Sequence, residues 1–73
     1  MLMIAIVREV RSDSLLVRDR ATGQDVVVHT GNTRCFGAGD LVAIVYNGVM
    51  TRSLPPQITA RRIRRLLPRD ECR

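Results

Sequence analysis

The residue types that most often perform chemistry are sparse in this sequence. It contains a single histidine, His29, and two cysteines, Cys35 and Cys72, which lie far apart. No C-x-x-C pair is present, and His29 with Cys35 supplies too few ligands for a structural zinc ion. We therefore predict no metal and no other cofactor, and we expect both cysteines to be free thiols in a reducing compartment.

The carboxylates do not suggest catalysis either. Asp13, Asp19 and Asp25 lie in or beside turn sequences, where such side chains typically accept hydrogen bonds from nearby backbone amides. No nucleophile, base and orienting residue can be grouped around His29, and no glycine-rich phosphate loop opens a helix. We predict that the protein is not an enzyme.

The arginines are unevenly distributed along the chain. All twelve basic residues are arginine. Residues 1–51 carry five arginines and five acids, whereas residues 52–73 carry seven arginines and two acids, so the whole net charge of +5 falls in the last third. Such a segment attracts phosphate or another anionic surface, although an exposed charged strand that serves solubility alone is the simpler interpretation. The predicted nucleic-acid-binding residues, with the tyrosine stacking one base, are Arg52, Arg61, Arg62, Arg64, Arg65 and Tyr46.

Composition indicates the elements that must position these groups. A chain of 73 residues forms one domain,. Apolar residues make up 45% of it but aromatics only 3%, so its core must consist of valine, isoleucine and leucine, of which the β-branched types favour strands. Short apolar runs separated by turn residues predict a small all-β fold, with strands at 1–10, 15–19, 24–30, 41–46 and 58–66.

Three local patterns add detail. Residues Met1–Val7 are apolar at every position, so both faces of the first strand are apolar. We therefore expect each end of this strand to bury a different face. Asn47-Gly48 is typical of a type I′ hairpin turn, after which residues 49–51 would return along the fourth strand. In the glycine-rich segment 30–39 there is room for little more than one helical turn, and Phe36 is expected to anchor that segment to the barrel.

The segment after Pro56 allows two interpretations. As a strand it needs a β-bulge, because Ile58 and Ala60 differ in parity from Ile63. As a helix it places Ala60, Ile63 and Leu67 on one side and arginines on the other, which would give a short basic amphipathic helix able to dock on a partner or a membrane surface.

A resemblance favours the strand. The residues that carry it are Gly39-Asp40-x-Val42, Tyr46-Asn47-Gly48 and Ser53-x-Pro55-Pro56-Gln57-x-x-Ala60-x-x-Ile63. This block resembles the closing part of small bacterial OB-type barrel domains of uncharacterised function, some of them lipoproteins, in which the Ser-x-Pro-x-Gln segment forms the last strand. The resemblance implies a fold and no chemistry. This chain has no lipoprotein signal, which argues against a surface location.

A looser likeness is to the S1-type barrel of a bacterial translation initiation factor of similar length. The shared features are the basic chain, the strand at 26–30 with His29, and the Gly39-Asp40-x-Val42 step. The glycine usual in the first strand is absent, and no exposed aromatic is expected on the second or third strand. OB-type proteins bind single strands by stacking bases on aromatics beside a positive groove, so here charge would have to supply most of the binding.

These observations predict an all-β, five-stranded OB-like Greek-key barrel with little or no helix at residues 1–67, followed by a short tail at 68–73. The expected function is weak, non-specific binding of single-stranded RNA or DNA through the arginine-rich last strand. The alternative is a protein-interaction or structural module that pairs through an exposed strand edge or the corner at Ser53–Gln57. We expect a cytoplasmic bacterial protein with no membrane partner, and leave its oligomeric state open.

Overall fold

The computed structural model describes residues 1–31 and 33–66, and these form a closed five-stranded barrel. The strands are β1 (Leu2–Val10), β2 (Ser14–Asp19), β3 (Asp25–His29), β4 (Leu41–Tyr46) and β5 (Gln57–Arg65). Their order around the barrel is β1-β2-β3-β5-β4, and β3 pairs with β5 in parallel while all other pairs are antiparallel. The prediction of an all-β OB-like barrel is confirmed, and no helix occurs in the described residues. The predicted tail at 68–73 lies outside them.

The barrel interior is filled by alternate residues of all five strands, as the two-residue period of a strand requires. Its core consists largely of aliphatic side chains, as the composition predicts: Met3, Ala5, Val7, Leu15, Val17, Val26, Val28, Val42, Ile44, Tyr46 and Ile58. Phe36 is half-buried and packs against this core, so the prediction that it anchors its loop is confirmed.

The first strand buries only one of its two apolar faces. Met3, Ala5 and Val7 point into the barrel, whereas Leu2 and Ile6 are exposed. The expectation that each end of β1 would bury a different face is therefore wrong. The register of β1 against β2 shifts only after Val7, too late in the strand to turn the other apolar face inward.

The predicted Asn47-Gly48 hairpin is also wrong. Gly48 has φ +89°, but Asn47 does not have positive φ, so this is not a type I′ turn. The Asn47 side chain instead accepts a hydrogen bond from the Val49 amide at 3.0 Å. Residues 49–51 form no strand, and β4 pairs with β5 after a loop of residues 47–56. The longer β5 can pair with both β3 and β4, which closes the barrel as a local hairpin cannot.

Closure also limits one predicted mode of interaction. Each of the five strands pairs with a neighbour on both sides, but β1 pairs with β2 only from Ala5 onward and β5 pairs with β3 only at residues 57–59. Among the described residues, a partner could therefore pair only with short stretches of strand edge.

The state of Cys35 differs from the expectation. Cys35 is disulfide-bonded, and none of the described residues is a free cysteine. The expectation of a free thiol is wrong for Cys35, while Cys72 lies outside the part of the chain that the structure describes.

Candidate functional site

A β-bulge determines where the β5 arginines lie. Tyr46 pairs with Ala60 and Val45 pairs with Arg62, which leaves Arg61 as an extra residue in β5. The parity change read from the sequence is thus confirmed, and the strand, rather than the basic helix, is the structure of residues 57–65. Because of the extra residue, Arg61 and Arg62 are both exposed, and alternation resumes with Ile63 half-buried and Arg64 exposed,.

The two remaining arginines of the predicted set lie elsewhere. Arg65 pairs with the buried Val42, is half-buried, and donates a hydrogen bond from Nη1 to the Cys35 carbonyl oxygen. Arg65 therefore ties β5 to the loop before β4. Arg52 is exposed in the loop of residues 47–56. The structure thus groups Arg61, Arg62 and Arg64 on the barrel exterior and gives Arg65 a structural contact.

Tyr46 does not lie on that exterior. Its side chain is 7% exposed and belongs to the hydrophobic core. A ring this buried offers little surface on which a base could stack, and the structure does not group Tyr46 with the exposed arginines. Its backbone also joins the start of the chain to β4, since its carbonyl oxygen accepts a hydrogen bond from the Met1 amine at 2.6 Å.

The arginines differ in whether an acid lies beside them. Arg8 and Arg18 both approach the Asp25 carboxylate, at 3.8 and 3.3 Å, and Arg11 approaches that of Glu9 at 3.5 Å. A second group of arginines forms no ion pair with any described carboxylate. Its members are Arg20, Arg52, Arg61, Arg62 and Arg64. Positive charge that acids do not offset is therefore concentrated along β5 and the loop that precedes it.

A groove lies between β3, β5 and the loop that joins β4 to β5, and its lining residue Thr59 is two residues from Arg61. It is lined mainly by hydrogen-bonding side chains from β3, β5 and the loop between β4 and β5: His29, Asn47, Thr51, Gln57 and Thr59, with Val49 and Ile58. His29 Nε2 lies 2.8 Å from Gln57 Oε1. The sequence did not indicate this groove, because it depends on the parallel pairing of His29 with Thr59, which no local pattern predicts.

The Ser-x-Pro-x-Gln segment serves the fold. Ser53 Oγ donates to the Pro55 carbonyl oxygen at 3.0 Å, and the Gln57 amide donates to Thr51 Oγ1 at 2.9 Å. The Pro56 carbonyl oxygen accepts from the Val27 amide at 2.9 Å, which starts the parallel pairing of β3 and β5. These contacts shape the corner that leads into β5 and hold no reactive group.

Neither a metal-binding cluster nor a membrane-spanning helix occurs among the described residues. They contain no group of three or more His, Cys, Asp or Glu placed to hold a metal ion. No helix in that part of the chain is long and apolar enough to cross a membrane.

No family model, no curated protein and no solved structure matches the chain.

Proposed function

We propose that the protein is a binding module that holds single-stranded nucleic acid through its phosphate groups. The observation that supports this proposal is the group of exposed arginines without an acidic partner among the described residues, at Arg52, Arg61, Arg62 and Arg64. A guanidinium group donates two parallel hydrogen bonds to phosphate oxygens. Where no carboxylate competes for those donors, they are available to an external anion.

The hydrogen-bonding side chains of the groove between β3 and β5 would supply the remaining contacts. Thr59 and Arg61 lie two residues apart on the same strand, so their side chains point to the same side, and both are exposed. A backbone following this line would pass the hydroxyls of Thr51 and Thr59 and the amide of Asn47. With Tyr46 buried and no exposed aromatic in the described part of the chain, stacking contributes little, so binding should be nearly independent of sequence, with a Kd of about 10⁻⁴–10⁻⁶ M.

The salt dependence of oligonucleotide binding tests this function. For single strands log K falls with log salt by about 0.7 per neutralised phosphate, so three or four arginine contacts give a slope of about −2 to −3. Replacing Arg61 and Arg62 together with Ser should flatten that slope by more than about one unit. Fluorescence anisotropy of labelled single-stranded RNA and DNA, titrated at several salt concentrations, measures it.

The chain offers a matched control. Arg8→Ser with Arg18→Ser removes the same two charges, but from arginines that share Asp25, so the slope should change much less. Equal flattening in both double variants would show that only net charge matters. Absence of binding at about 50 mM salt, where phosphate contacts are strong, would overturn the proposal.

A second candidate, binding of a protein partner, rests on a different surface. At the corner that the sequence suggested, Leu54 is 93% exposed, but single exposed apolar residues are normal and require no explanation. The observation that favours this candidate is the outward side of β1 and β4.

A further inference from the structure

The outward side of β1 and β4 is apolar along the stretch where the two strands pair. Three cross-strand pairs form it: Leu2 with Val45, Ile4 with Ala43, and Ile6 with Leu41. We call these six residues the apolar face. Directly paired residues on one side of a sheet have Cβ atoms about 5 Å apart, so the six side chains form one contiguous surface.

This surface departs from the usual pattern of a barrel exterior. Antiparallel strands with one face in a core normally place polar residues on the other. Here Leu2 is 62% exposed and both Ile6 and Val45 are 39% exposed. Leu66, whose amide donates to the Leu41 carbonyl oxygen, extends the face at one end and is itself exposed. Contiguous exposed apolar surface of this kind marks an interaction site more often than isolated exposed residues do.

Arginines border the apolar face on both sides. On β2, Arg18 pairs with Ile6, and the Arg20 amide donates to the Ile4 carbonyl oxygen. On β5, Arg64 pairs with Ala43 and Arg62 pairs with Val45. Apart from Arg18, which shares Asp25 with Arg8, these arginines have no acidic partner among the residues that the structure describes.

The residues of the apolar face differ in exposure. Ile4 and Ala43, which form the central pair, are half-buried, as is Leu41 in one end pair, and Ala43 has the smallest side chain of the six. Leu2 and Ile4 also line an open groove at the end of the barrel, together with Asp19 and Arg20 and with the core residues Met3 and Tyr46. A segment that lies along the face would have arginines on both sides.

We infer that the apolar face binds an amphipathic segment of a partner protein, in which aspartates or glutamates border a row of apolar side chains. The apolar row would cover the face, and its acidic borders would meet Arg20 on one side and Arg62 and Arg64 on the other. A second copy of this chain fits poorly, because either way of stacking two such faces brings arginine against arginine. Single-stranded nucleic acid fits poorly as well, since aliphatic side chains give bases no aromatic surface.

A pair of designed peptides tests this inference. Both form an amphipathic helix with leucines along one side; one has glutamates at the borders of that side and the other has lysines. The glutamate peptide should bind with a Kd at least about tenfold lower than the lysine peptide, because like charges facing each other oppose binding. Fluorescence anisotropy measures both affinities, and amide chemical shift changes should concentrate on β1 and β4.

Two glutamate variants locate the site. Leu2→Glu places a negative charge on the apolar face and should weaken binding of the glutamate peptide at least about tenfold. Leu54→Glu changes the net charge equally, at an exposed residue of the loop between β4 and β5 and outside the face, and should leave that affinity unchanged. Equal loss in both variants, or shift changes away from β1 and β4, would overturn the inference.

The other occupants give their own outcomes. Self-association of the unmodified chain in analytical ultracentrifugation that Leu2→Glu abolishes would assign the face to a second copy. Binding to phosphatidylglycerol vesicles that Leu2→Glu abolishes would assign it to a lipid surface, and either result would overturn the inference. Leu2→Glu should weaken oligonucleotide binding no more than Leu54→Glu does, because Leu54 lies in the same loop as Arg52. The nucleic-acid proposal and this one can therefore fail separately.

Discussion

The barrel exterior has two neighbouring surfaces of opposite character. Where β1 pairs with β4 the outward residues are aliphatic, whereas on β5 the outward residues beside them are Arg62 and Arg64. Both surfaces surround the same valine-rich core, so the core does not account for the difference between them. Binding to the β5 surface should depend steeply on salt, while binding to the apolar face should depend mainly on buried apolar area.

The bulge at Arg61 is what brings these two surfaces together. Without a register shift, the parity set by Ile58 and Ala60 would turn Arg62 and Arg64 into the barrel,. The extra residue restores Ile63 to the core side and keeps both arginines outside, beside Val45 and Ala43. One inserted residue thus reconciles an apolar interior with a basic exterior on the same strand.

The largest expected effect comes from shifting this register. Deleting Thr59 shifts part of β5 by one residue, so the side chains of that part point to the opposite side of the sheet. This shift would expose Ile58 or bury arginine. The variant should therefore lose cooperative unfolding. Deleting Arg61 removes only the extra residue and leaves the pairs Tyr46–Ala60 and Val45–Arg62 in phase, so that variant should still fold. Circular dichroism during thermal unfolding distinguishes them. If both deletions abolished folding, the assignment of Arg61 as the extra residue would be wrong.

The next effect separates the two sides of β4. Ile44 is fully buried and its neighbour Val45 is 39% exposed. Ile44→Ala should lower the free energy of unfolding by about 2–5 kcal/mol, because it leaves a cavity in the core. Val45→Ala should change it by about 0.5 kcal/mol or less. Urea denaturation measures both values. A large loss in Val45→Ala would mean that the apolar face contributes to stability, which would weaken the argument that it is available to a partner.

A smaller effect concerns the residue at which the chain turns away from β4. Gly48 has φ +89°, so Gly48→Val should cost about 1–3 kcal/mol of backbone strain. Gly31 has no positive φ, and a Cβ there would meet no atom within 4 Å, so Gly31→Val is the control and should cost much less. Melting temperatures of the two variants provide the comparison, and an unchanged midpoint for Gly48→Val would contradict the strain.

The residue types predicted the fold well because its elements are patterned locally. The strands follow from β-branched runs bounded by turn residues, and the bulge follows from the parity of Ile58, Ala60 and Ile63. Gly23, in the loop between β2 and β3, has φ +74°, as its turn sequence predicts. The failure at Asn47-Gly48 has a physical cause: barrel closure pairs β4 with the distant β5 and overrides the local hairpin preference.

The candidate surfaces were harder to predict, because they depend on which residues pair across strands. The exposed arginines on β5 follow from composition, but Arg65 turns out to bind the Cys35 carbonyl oxygen. The burial of Tyr46 depends on which of the two faces of β4 points into the barrel. The outward side of β1 is predicted to be buried at one end of the strand, because an apolar residue at every position of β1 does not reveal which half faces water.

The smallest expected effect concerns the arginines that border the apolar face. Arg62→Ser with Arg64→Ser removes two exposed charges that have no acidic partner among the described residues. The free energy of unfolding should therefore change by only about 0.5 kcal/mol, with any gain coming from reduced repulsion between arginines. The same variant should bind the glutamate peptide several-fold more weakly, since it lacks the charges on one side of the face. Urea denaturation and peptide anisotropy on one preparation measure the two quantities. A large loss of stability with unchanged peptide affinity would mean that these arginines serve the fold rather than a partner.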